Sequence, residues 1–290
     1  MTGPAGPIGK KGEPIWYLDG TLGGCGHALA LAKAYKGTFN VIGFDKDPQA
    51  IARAEKLLAG KAKQVILENA DFRKLGTVLD QRGIAGVDLI LLDLGISSDE
   101  LEASGKGFSF QKDEPLHMTM GDPDKAAFTA ASILNGWKEE DIANVIFAYG
   151  EERYARRIAR AIIAYREKKP VQTTHELAEL VKMSVPPAYR RGKTHPATKT
   201  FQALRIAVND ELAALKEGLY AAFDNLNPNG RLEVISFHSL EDRIVKVLFK
   251  EMAEKGAIIM TKKPITATDQ EIAENPRSRS AKLRILQKIA

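Results

Sequence analysis

The stretch Tyr17-Leu-Asp-Gly-Thr-Leu-Gly-Gly-Cys-Gly-His27 decides how the first half of this chain folds. It runs from a short apolar strand into a glycine-rich turn, and a second apolar run, Val41-Ile-Gly-Phe-Asp45, ends in a carboxylate. Glycines let backbone N–H groups approach a ligand, and a helix N-terminus favours negative charge. A carboxylate at the end of the second strand can accept hydrogen bonds from two ribose hydroxyls. The pattern therefore predicts a βαβ unit that binds a nucleoside.

The spacing of the glycines narrows the choice of nucleoside. A dinucleotide fingerprint G-x-G-x-x-G would need a third glycine where Leu29 follows Gly24 and Gly26, and the chain contains no G-x-x-x-x-G-K-[ST] phosphate loop. A nucleoside without a pyrophosphate fits best, and S-adenosylmethionine (SAM) is the candidate. A nicotinamide-dependent oxidoreductase is a rival interpretation that this spacing disfavours and that NADH binding would revive.

Length and composition restrict the class of protein. The 290 residues can form one large or two modest domains, and no apolar run approaches the about 18 residues of a membrane span. Residues 1–14 lack the apolar segment of a signal peptide, and their glycines and prolines predict a flexible tail. One cysteine rules out an internal disulfide and fits a reducing compartment. We therefore expect a cytoplasmic protein with no membrane partner.

Basic charge is concentrated in two blocks. Residues 150–205 hold 13 Lys and Arg against 5 Asp and Glu, and residues 276–290 hold 5 basic residues and no acid. Since the whole chain carries +5, the remainder sums to −8. Two such blocks are expected of a nucleic-acid-binding protein, and a solvated basic face without a partner is the alternative.

Strands and helices alternate in the first part of the chain and again near its end. Strands are predicted at 15–19, 39–45, 64–69, 87–94, 231–237, 257–263 and 281–288. The intervening stretch is predicted to be helical, with helices over 137–149, over 151–168, after the capping box that begins at Thr173, and over 201–226. A turn is predicted at 227–230, and Asp47 with Pro48 is predicted to begin a helix.

This order predicts an α/β fold, a doubly wound, Rossmann-like sheet with an inserted all-helical domain. The sheet domain would comprise residues 15–98 and 201–290, and the insertion residues 99–200. Ligands of such sheets bind at the carboxyl ends of the strands. The insertion leaves from the carboxyl end of the fourth strand, so we expect it to lie over the ligand.

Several long motifs resemble those of the MraW/RsmH family. They are Asp19 to His27, Asp45-Lys-Asp-Pro48, Leu91-Leu-Asp-Leu-Gly-Ile-Ser-Ser98, Gly107-Phe-Ser-Phe-Gln-Lys-Asp113, Tyr149-Gly-Glu-Glu-Arg153, His195 to Asn209 and Val234-Ile-Ser-Phe-His-Ser-Leu-Glu-Asp-Arg243. The resemblance spans about residues 15–290. It implies a SAM-methyltransferase fold and SAM-dependent methylation of the N4 amine of a cytidine in 16S rRNA, at the decoding centre of the small ribosomal subunit.

The candidate cofactor site gathers residues from four segments. Gly24, Cys25, Gly26 and His27 form the turn that can hold the methionine end of SAM, and Asp45 is the candidate ribose ligand. The alternative is a tight strand–helix turn that binds no ligand. The resemblance implies that Phe72 packs on adenine and that Asp93 and Glu100 also contact the cofactor. The alternative for Phe72 is an aromatic residue of the core.

Asp93 is the candidate catalytic residue because it ends the fourth strand, where amine methyltransferases place their reactive motif. The lone pair of cytosine N4 is delocalised into the ring, and an acceptor for its N–H would localise that lone pair and position it.

Candidate RNA contacts come from the later motifs. They are His195, Lys199, Arg205, Asn209 and His238. Arg205 and Asn209 lie four residues apart and are predicted to share a helix face opposite the apolar stripe. An ordinary exposed face, or a structural histidine at 238, is the alternative. The five histidines form no H-E-x-x-H or Cys/His cluster, so no metal is expected. The expected partner is 16S rRNA or the small subunit, and a homodimer is left open.

The chain departs from the family's pattern in two motifs. Glu100 stands where the family has a cofactor-contacting glutamine, and Leu116-His-Met-Thr-Met-Gly121 replaces Leu-Asp-Met-Arg-Met-Asp. A carboxylate can accept a hydrogen bond but cannot donate one. These departures keep open an alternative function, a non-catalytic SAM- and RNA-binding ribosome-assembly factor.

Overall fold

The computed structural model describes residues 13–36, 38–97, 100–101 and 104–289, and these form two compact units. The first unit comprises the described residues up to Gly95 and from Leu212 onward, and the second comprises those from Ile96 to Glu211. The predicted tail falls almost wholly outside the described residues, as does the predicted boundary at 98/99. The second boundary lies after residue 211 rather than at 200/201.

The first unit is built on one mixed β-sheet. Its strands are β1 (Ile15–Asp19), β2 (Phe39–Asp45), β3 (Gln64–Asn69), β4 (Val87–Asp93), β5 (Leu226–Ser236), β6 (Ala257–Ile259), β7 (Ile265–Thr266) and β8 (Lys282–Lys288). They lie in the order β3-β2-β1-β4-β5-β8-β6, and β7 also pairs with β8. Strands β1 to β5 run parallel, and β8 is antiparallel to β5.

Helices cover both faces of this sheet, which confirms the doubly wound α/β fold. Those before the insertion are α1 (Gly26–Ala34), α2 (Pro48–Leu58) and α3 (Leu75–Gln81). One core cluster joins Tyr17, Val41 and Leu91 to α1 and α2. A second joins Leu18 and Ile90 to α3 and to the helices that follow the insertion. The alternation of side chains along each strand separates these two cores.

The second unit contains helices and, among its described residues, one isolated β-bridge, between Pro115 and Thr173. Its helices are α4 (Ala130–Gly136), α5 (Glu139–Gly150), α6 (Ala155–Arg166), α7 (Thr174–Ser184), α8 (Pro187–Arg190) and α9 (Thr198–Asn209). They share one buried apolar cluster that includes Ile133, Ile146 and Ile162. The unit therefore has its own core.

Three helices complete the chain, α10 (Glu211–Asp224), α11 (Ser239–Glu254) and α12 (Asp269–Glu274). Two of the predicted helix starts are confirmed. The carboxylate of Asp47 accepts a hydrogen bond from the backbone N–H of Gln49, with Pro48 in the first turn of α2. Thr173 and Glu176 form a reciprocal capping box at the start of α7.

The structure corrects two predictions between residues 201 and 230. The single helix predicted over 201–226 is two helices, because Asp210 adopts a left-handed conformation with φ of 52° between α9 and α10. The turn predicted at 227–230 is an irregularity inside β5, since Val87 pairs with Leu226 whereas Leu89 pairs with Arg231. Asn229 has φ of 65° there, a conformation that asparagine tolerates.

The end of α5 packs closely against α9. A substitution at this contact can therefore test how tightly the core of the second unit is packed. A Cβ added to Gly150 would lie 2.6 Å from the backbone oxygen of Lys199. We therefore expect Gly150→Ala to lower the free energy of unfolding by roughly 1–3 kcal/mol, because the two helices must separate. Thermal unfolding measures this.

Gly136→Ala is the matched control, since Gly136 also ends a helix of this unit and has no atom within 4 Å of an added Cβ. It should be neutral or stabilising by up to about 1 kcal/mol. Equal unfolding temperatures for the two variants would contradict the close helix packing.

Candidate active site

The glycine-rich turn between β1 and α1 leaves open space along its backbone. A Cβ placed on Gly24 or Gly26 would meet no atom within 4 Å. Cys25 precedes α1 in the left-handed conformation, with φ of 62°, and its side chain is fully buried. Burial, with the nearby carboxylates of Asp19 and Asp45, raises the pKa of its thiol to about 11. Cys25 is therefore an inert filler, and the turn offers a cradle in which a ligand can approach the backbone.

Asp45 is held in place by the backbone on both sides. One carboxylate oxygen accepts a hydrogen bond from the N–H of Gly23 and the other from the N–H of Asp47, each at 2.8 Å. Burial raises its pKa, and these two hydrogen bonds oppose the rise. Each oxygen keeps a second acceptor position. The carboxylate is thus preorganised at the end of β2, with capacity left for two hydroxyl groups.

Asp93 divides the roles of its two carboxylate oxygens. Its Oδ2 lies 3.2 Å from Nε2 of His27, and its backbone N–H donates to Oγ1 of Thr21 at 2.7 Å. Its Oδ1 is buried and has no hydrogen-bond partner among the described residues. The hydrogen bond that the imidazole of His27 donates to Asp93 raises the pKa of His27, against the effect of burial. One oxygen is therefore fixed by an imidazole while the other remains available as an acceptor.

A further carboxylate, that of Asp19, lies near Asp93 and His27, and it was not predicted from the sequence. Asp19 is 1% exposed, and it accepts hydrogen bonds from the hydroxyl of Tyr17 at 2.8 Å and from the N–H of Thr21 at 3.1 Å. Burial raises its pKa to about 6. Its position as the only acid in β1 could have signalled this role. Thr21 therefore links Asp19 to Asp93.

Phe72 is half-buried and packs on the backbone of α10. A Cβ added to Gly218 would lie 2.2 Å from the ring. Its neighbour Asp71 makes ion pairs with Lys46 at 2.7 Å and Arg73 at 3.1 Å, and these cations lower the pKa of Asp71 although burial opposes them. The core interpretation accounts for part of the Phe72 ring, and contact with adenine remains a prediction.

Two of the predicted site residues act as helix or turn caps. Glu100, in the second unit, accepts a hydrogen bond from the N–H of Ser97 at 3.0 Å, and Oγ of Ser97 accepts one from the N–H of Glu100 at 3.1 Å. His238, in the first unit, precedes α11, and its Nδ1 accepts from the N–H of Glu241 at 3.3 Å. The structural interpretation of His238 is therefore well supported.

Arg205 and Asn209 lie on one side of α9 but are half-buried, so the alternative of an ordinary exposed face does not describe them, and RNA contact by either residue stays a prediction. Arg205 makes two hydrogen bonds of 2.8 Å to the carboxylate of Glu211. The amide of Asn209 donates to the carbonyl of Met118 at 2.7 Å and accepts from the N–H of Met120 at 2.8 Å. The segment around residues 118–120 binds this face within the second unit, so both side chains support the fold of that unit.

The other two candidates in the second unit differ from each other. The ammonium group of Lys199 donates to the carbonyl of Glu151 at 2.9 Å, which caps the end of α5. His195 is exposed, and its ring stacks on Phe110 with 4.5 Å between centroids. Its Nδ1 accepts from the N–H of Ala197, and burial lowers its pKa. A neutral, exposed stacking ring is a suitable contact for a nucleobase.

Many residues of the two basic blocks are bound within the protein. Lys282 and Arg284 pair with Asp242 at 3.3 and 2.7 Å, and Lys288 donates to three carbonyl groups at the end of α10 and the start of β5. In the second unit Lys169 pairs with Glu176 and Arg166 donates to a backbone carbonyl. The positive charge available to a partner is therefore smaller than the number of Lys and Arg residues in the two blocks suggests.

One group of exposed cations in the second unit is organised around aromatic rings. The guanidinium group of Arg153 lies 4.8 Å from the ring centroid of Tyr154 and 5.2 Å from that of Tyr189. Glu152 is fully buried beneath and accepts hydrogen bonds from the hydroxyl of Tyr189 and the N–H of Tyr154. We call these four residues the arginine–tyrosine platform. Exposed cations adjoin it in sequence, at Arg156, Arg157, Arg191 and Lys193.

The described helices include none that is long and apolar enough to cross a membrane. In the first unit, the structure brings the turn from Gly24 to His27 together with Asp45 and Asp93 at the carboxyl ends of β1, β2 and β4. These are the positions at which doubly wound sheets bind ligands.

Comparisons with known proteins identify a family and several relatives that this chain resembles. The family model described as the MraW methylase family matches residues 8–289. A ribosomal RNA small subunit methyltransferase H of Heliobacterium mobile is 47% identical, covering 94% of this chain and 92% of the relative. The protein of the same name from Brevibacillus brevis is 43% identical, covering 94% and 91%. A solved rRNA methylase from Streptococcus thermophilus is 10% identical, with a TM-score of 0.44, covering 96% of this chain and 89% of that one.

The geometry of Asp45 predicts its contribution to cofactor binding. Asp45→Ala should weaken SAM binding by about 2–4 kcal/mol, because two charge-assisted hydrogen bonds to the ribose are lost. Isothermal calorimetry measures the change. Asp80→Ala, which removes an exposed carboxylate elsewhere in the same unit, should leave the affinity unchanged. An unchanged SAM affinity in a folded Asp45→Ala variant would refute the ribose assignment.

Proposed function

The chain belongs to the MraW methylase family, and we propose that it methylates the N4 amine of a cytidine in 16S rRNA, at the decoding centre of the small ribosomal subunit. It is a methyltransferase that uses SAM and acts on ribosomal RNA. The target atom and its place in the subunit are the finer part of the proposal, and they rest on the motifs that resemble this family. Such an enzyme would work in the cytoplasm.

The residues of the first unit suit the cofactor. Open space beside Gly24 and Gly26 admits a ligand, and Asp45 keeps two acceptor positions at the place where a ribose would bind. When bound, SAM supplies a methyl group on a sulfonium and becomes a neutral thioether. The turn from Gly24 to His27 would hold its methionine end and Asp45 its ribose.

The observation that carries the proposed reaction is the buried, unpartnered Oδ1 of Asp93. An amine N–H pointing at this oxygen would satisfy it and would turn the nitrogen lone pair toward the methyl group. His27 holds the other oxygen and fixes the carboxylate. As the N–C bond forms and the C–S bond breaks, N4 becomes cationic and must lose one proton. Asp93 is placed to accept that proton, with His27 stabilising the pair.

The arginine–tyrosine platform supports RNA binding by the second unit. Among the described residues Arg153 makes no ion pair with a carboxylate, so none of them neutralises its charge by direct contact. Arginine held flat against aromatic rings and flanked by further cations suits single-stranded RNA, whose bases stack and whose phosphates are anionic. His195 on Phe110 adds a second exposed stacking surface in the same unit.

One observation favours the alternative of a non-catalytic assembly factor. The carboxylate of Glu100 is engaged with the backbone of Ser97, at a position where the family uses a glutamine toward the cofactor. SAM binding without methyl transfer would support this alternative. The deciding experiment is incubation with radiolabelled SAM and unmethylated small subunits, followed by nucleoside analysis. Label in N4-methylcytidine supports the proposal, and label in another nucleoside would contradict the N4 assignment.

Asp93→Ala should reduce the single-turnover rate at saturating SAM and RNA by a factor of about 10² to 10⁴, as expected for loss of one positioned acceptor. RNA binding should change far less. SAM affinity is measured in parallel, because Asp93 also lies beside the cofactor turn. Asp93→Asn is the matched variant, which keeps the shape and removes the charge. Rates within about threefold of the parent for both variants would mean that Asp93 only shapes the pocket. Ser236 and His238 would then be the candidates for the N4 partner.

Arg156→Glu/Arg157→Glu should weaken RNA binding at low salt and reduce the salt dependence of affinity, because each lost phosphate contact lowers the logarithmic slope by about 0.7 to 1. SAM affinity should not change. Lys56→Glu/Lys61→Glu applies the same charge change to exposed residues of the first unit and serves as the control. Anisotropy titrations with single-stranded RNA measure both. Equal losses in the two variants would indicate only an effect of net charge.

A further inference from the structure

Glu233 is a buried carboxylate with no evident structural purpose. It lies in β5 between Leu232 and Val234 and is 7% exposed. Its backbone is part of the sheet, between β4 and β8, but its carboxylate has no hydrogen bond or ion pair with any residue that the structure describes. Burial raises its pKa, and Arg231 opposes the rise. A largely buried carboxylate without a hydrogen-bond donor costs folding free energy, and the nearby charges of Arg231 and His27 offset part of that cost.

The register of the sheet places Glu233 with the acids of the candidate active site. Glu233 pairs with Leu91 of β4, which in turn pairs with Asp19 of β1. Paired residues share a face, and Asp93, two residues beyond Leu91, points the same way. Asp19, Asp93 and Glu233 therefore occupy one face of three neighbouring strands, near the carboxyl end. This is the face covered by α1, which carries His27.

The three acids act together on this part of the unit. Each of them raises the pKa of His27, and the hydrogen bond that His27 donates to Asp93 has the largest effect. Asp93 and Asp19 have hydrogen-bonding duties that explain their presence. Glu233 has none, so its remaining contribution is its negative charge. That charge lies in a setting where solvent screens it weakly.

We propose that Glu233 is a specificity-determining residue that favours the cationic methyl donor over its neutral product. The sulfonium of SAM carries a positive charge, and S-adenosylhomocysteine, formed by loss of the methyl group, does not. A fixed negative charge therefore stabilises bound SAM and leaves the product unaffected, without direct contact. The inference rests on SAM as the donor and does not depend on which nucleotide is methylated.

The size of the effect follows from Coulomb's law. For any two unit charges at a separation of about 10 Å, in a medium of effective dielectric constant about 20, the interaction changes an affinity by roughly 15-fold, and a shorter separation gives a larger change. Water near the pocket reduces this value. We expect loss of the charge to reduce the preference for SAM over the product by about 3- to 30-fold.

The test compares ligands that differ in charge. Calorimetry with SAM, with S-adenosylhomocysteine and with sinefungin, in which an amino group replaces the methylsulfonium, is carried out on the parent and on Glu233→Gln. Glu233→Gln should bind both cationic ligands about 3- to 30-fold more weakly and the neutral product within about twofold of the parent. It should also unfold at a higher temperature without ligand, because a buried charge is removed.

Two further variants isolate the charge. Glu233→Asp keeps the charge and should keep the preference. Glu68→Gln removes a half-buried carboxylate of β3 that pairs with Arg82, and it should leave the affinity for all three ligands unchanged. If Glu233→Gln fails to fold, Glu233→Met provides an uncharged side chain of similar volume. Equal weakening of all three ligands, or no change in any of them, would overturn the proposal. If the parent protein bound no SAM, the assignment of SAM as the methyl donor would be refuted. If it bound SAM but methylated another atom, only the assignment of cytidine N4 as the target would be refuted.

Discussion

The turn between β1 and α1 is held from two sides by carboxylates that accept its backbone N–H groups. Asp19 binds the N–H of Thr21 and Asp45 binds that of Gly23. Because each acid ends a different strand, the turn keeps its position only while β1 and β2 keep their register. The same turn supplies Thr21 and His27, which fix the backbone and one oxygen of Asp93. The geometry of the candidate active site therefore depends on how two neighbouring strands end.

Much of this arrangement was predictable, because it depends on local sequence. The apolar runs of the parallel strands, the cap formed by Asp47 and the acids at 45 and 93 are visible in short windows, and parallel strands present their carboxyl ends at one edge. Asp19 and Glu233 were not predicted, since a single acid in an apolar strand does not reveal its burial. The break at Asp210 was missed because the apolar spacing of three and four continues through it.

The surroundings of the candidate RNA contacts were the hardest to predict, because their partners are distant in sequence. Asn209 binds backbone groups of residues 118 and 120, and Lys199 caps a helix that ends 49 positions earlier. Neither partner can be identified from a helical face. For a similar reason, a count of basic residues overestimates the positive charge that is available to RNA, since Lys282 and Arg284 both pair with Asp242. Exposed cations such as Arg156 and Arg157 are a better guide than the net charge of a block.

The buried acids of the first unit have a common physical consequence. Placing Asp19, Asp93 and Glu233 on one face opposes folding, because each charge loses its hydration. Asp19 recovers part of this loss from Tyr17 and Thr21, and Asp93 recovers part from His27. Oδ1 of Asp93 has no hydrogen-bond partner among the described residues, and Arg231 and His27 offset only part of the cost of burying Glu233, so a ligand that brings a donor or a positive charge would be favoured here. An amine that must be deprotonated and a sulfonium that must be bound would supply these two features. The buried acids on this face of the sheet would thus complement the charges that develop in the methyl transfer proposed above.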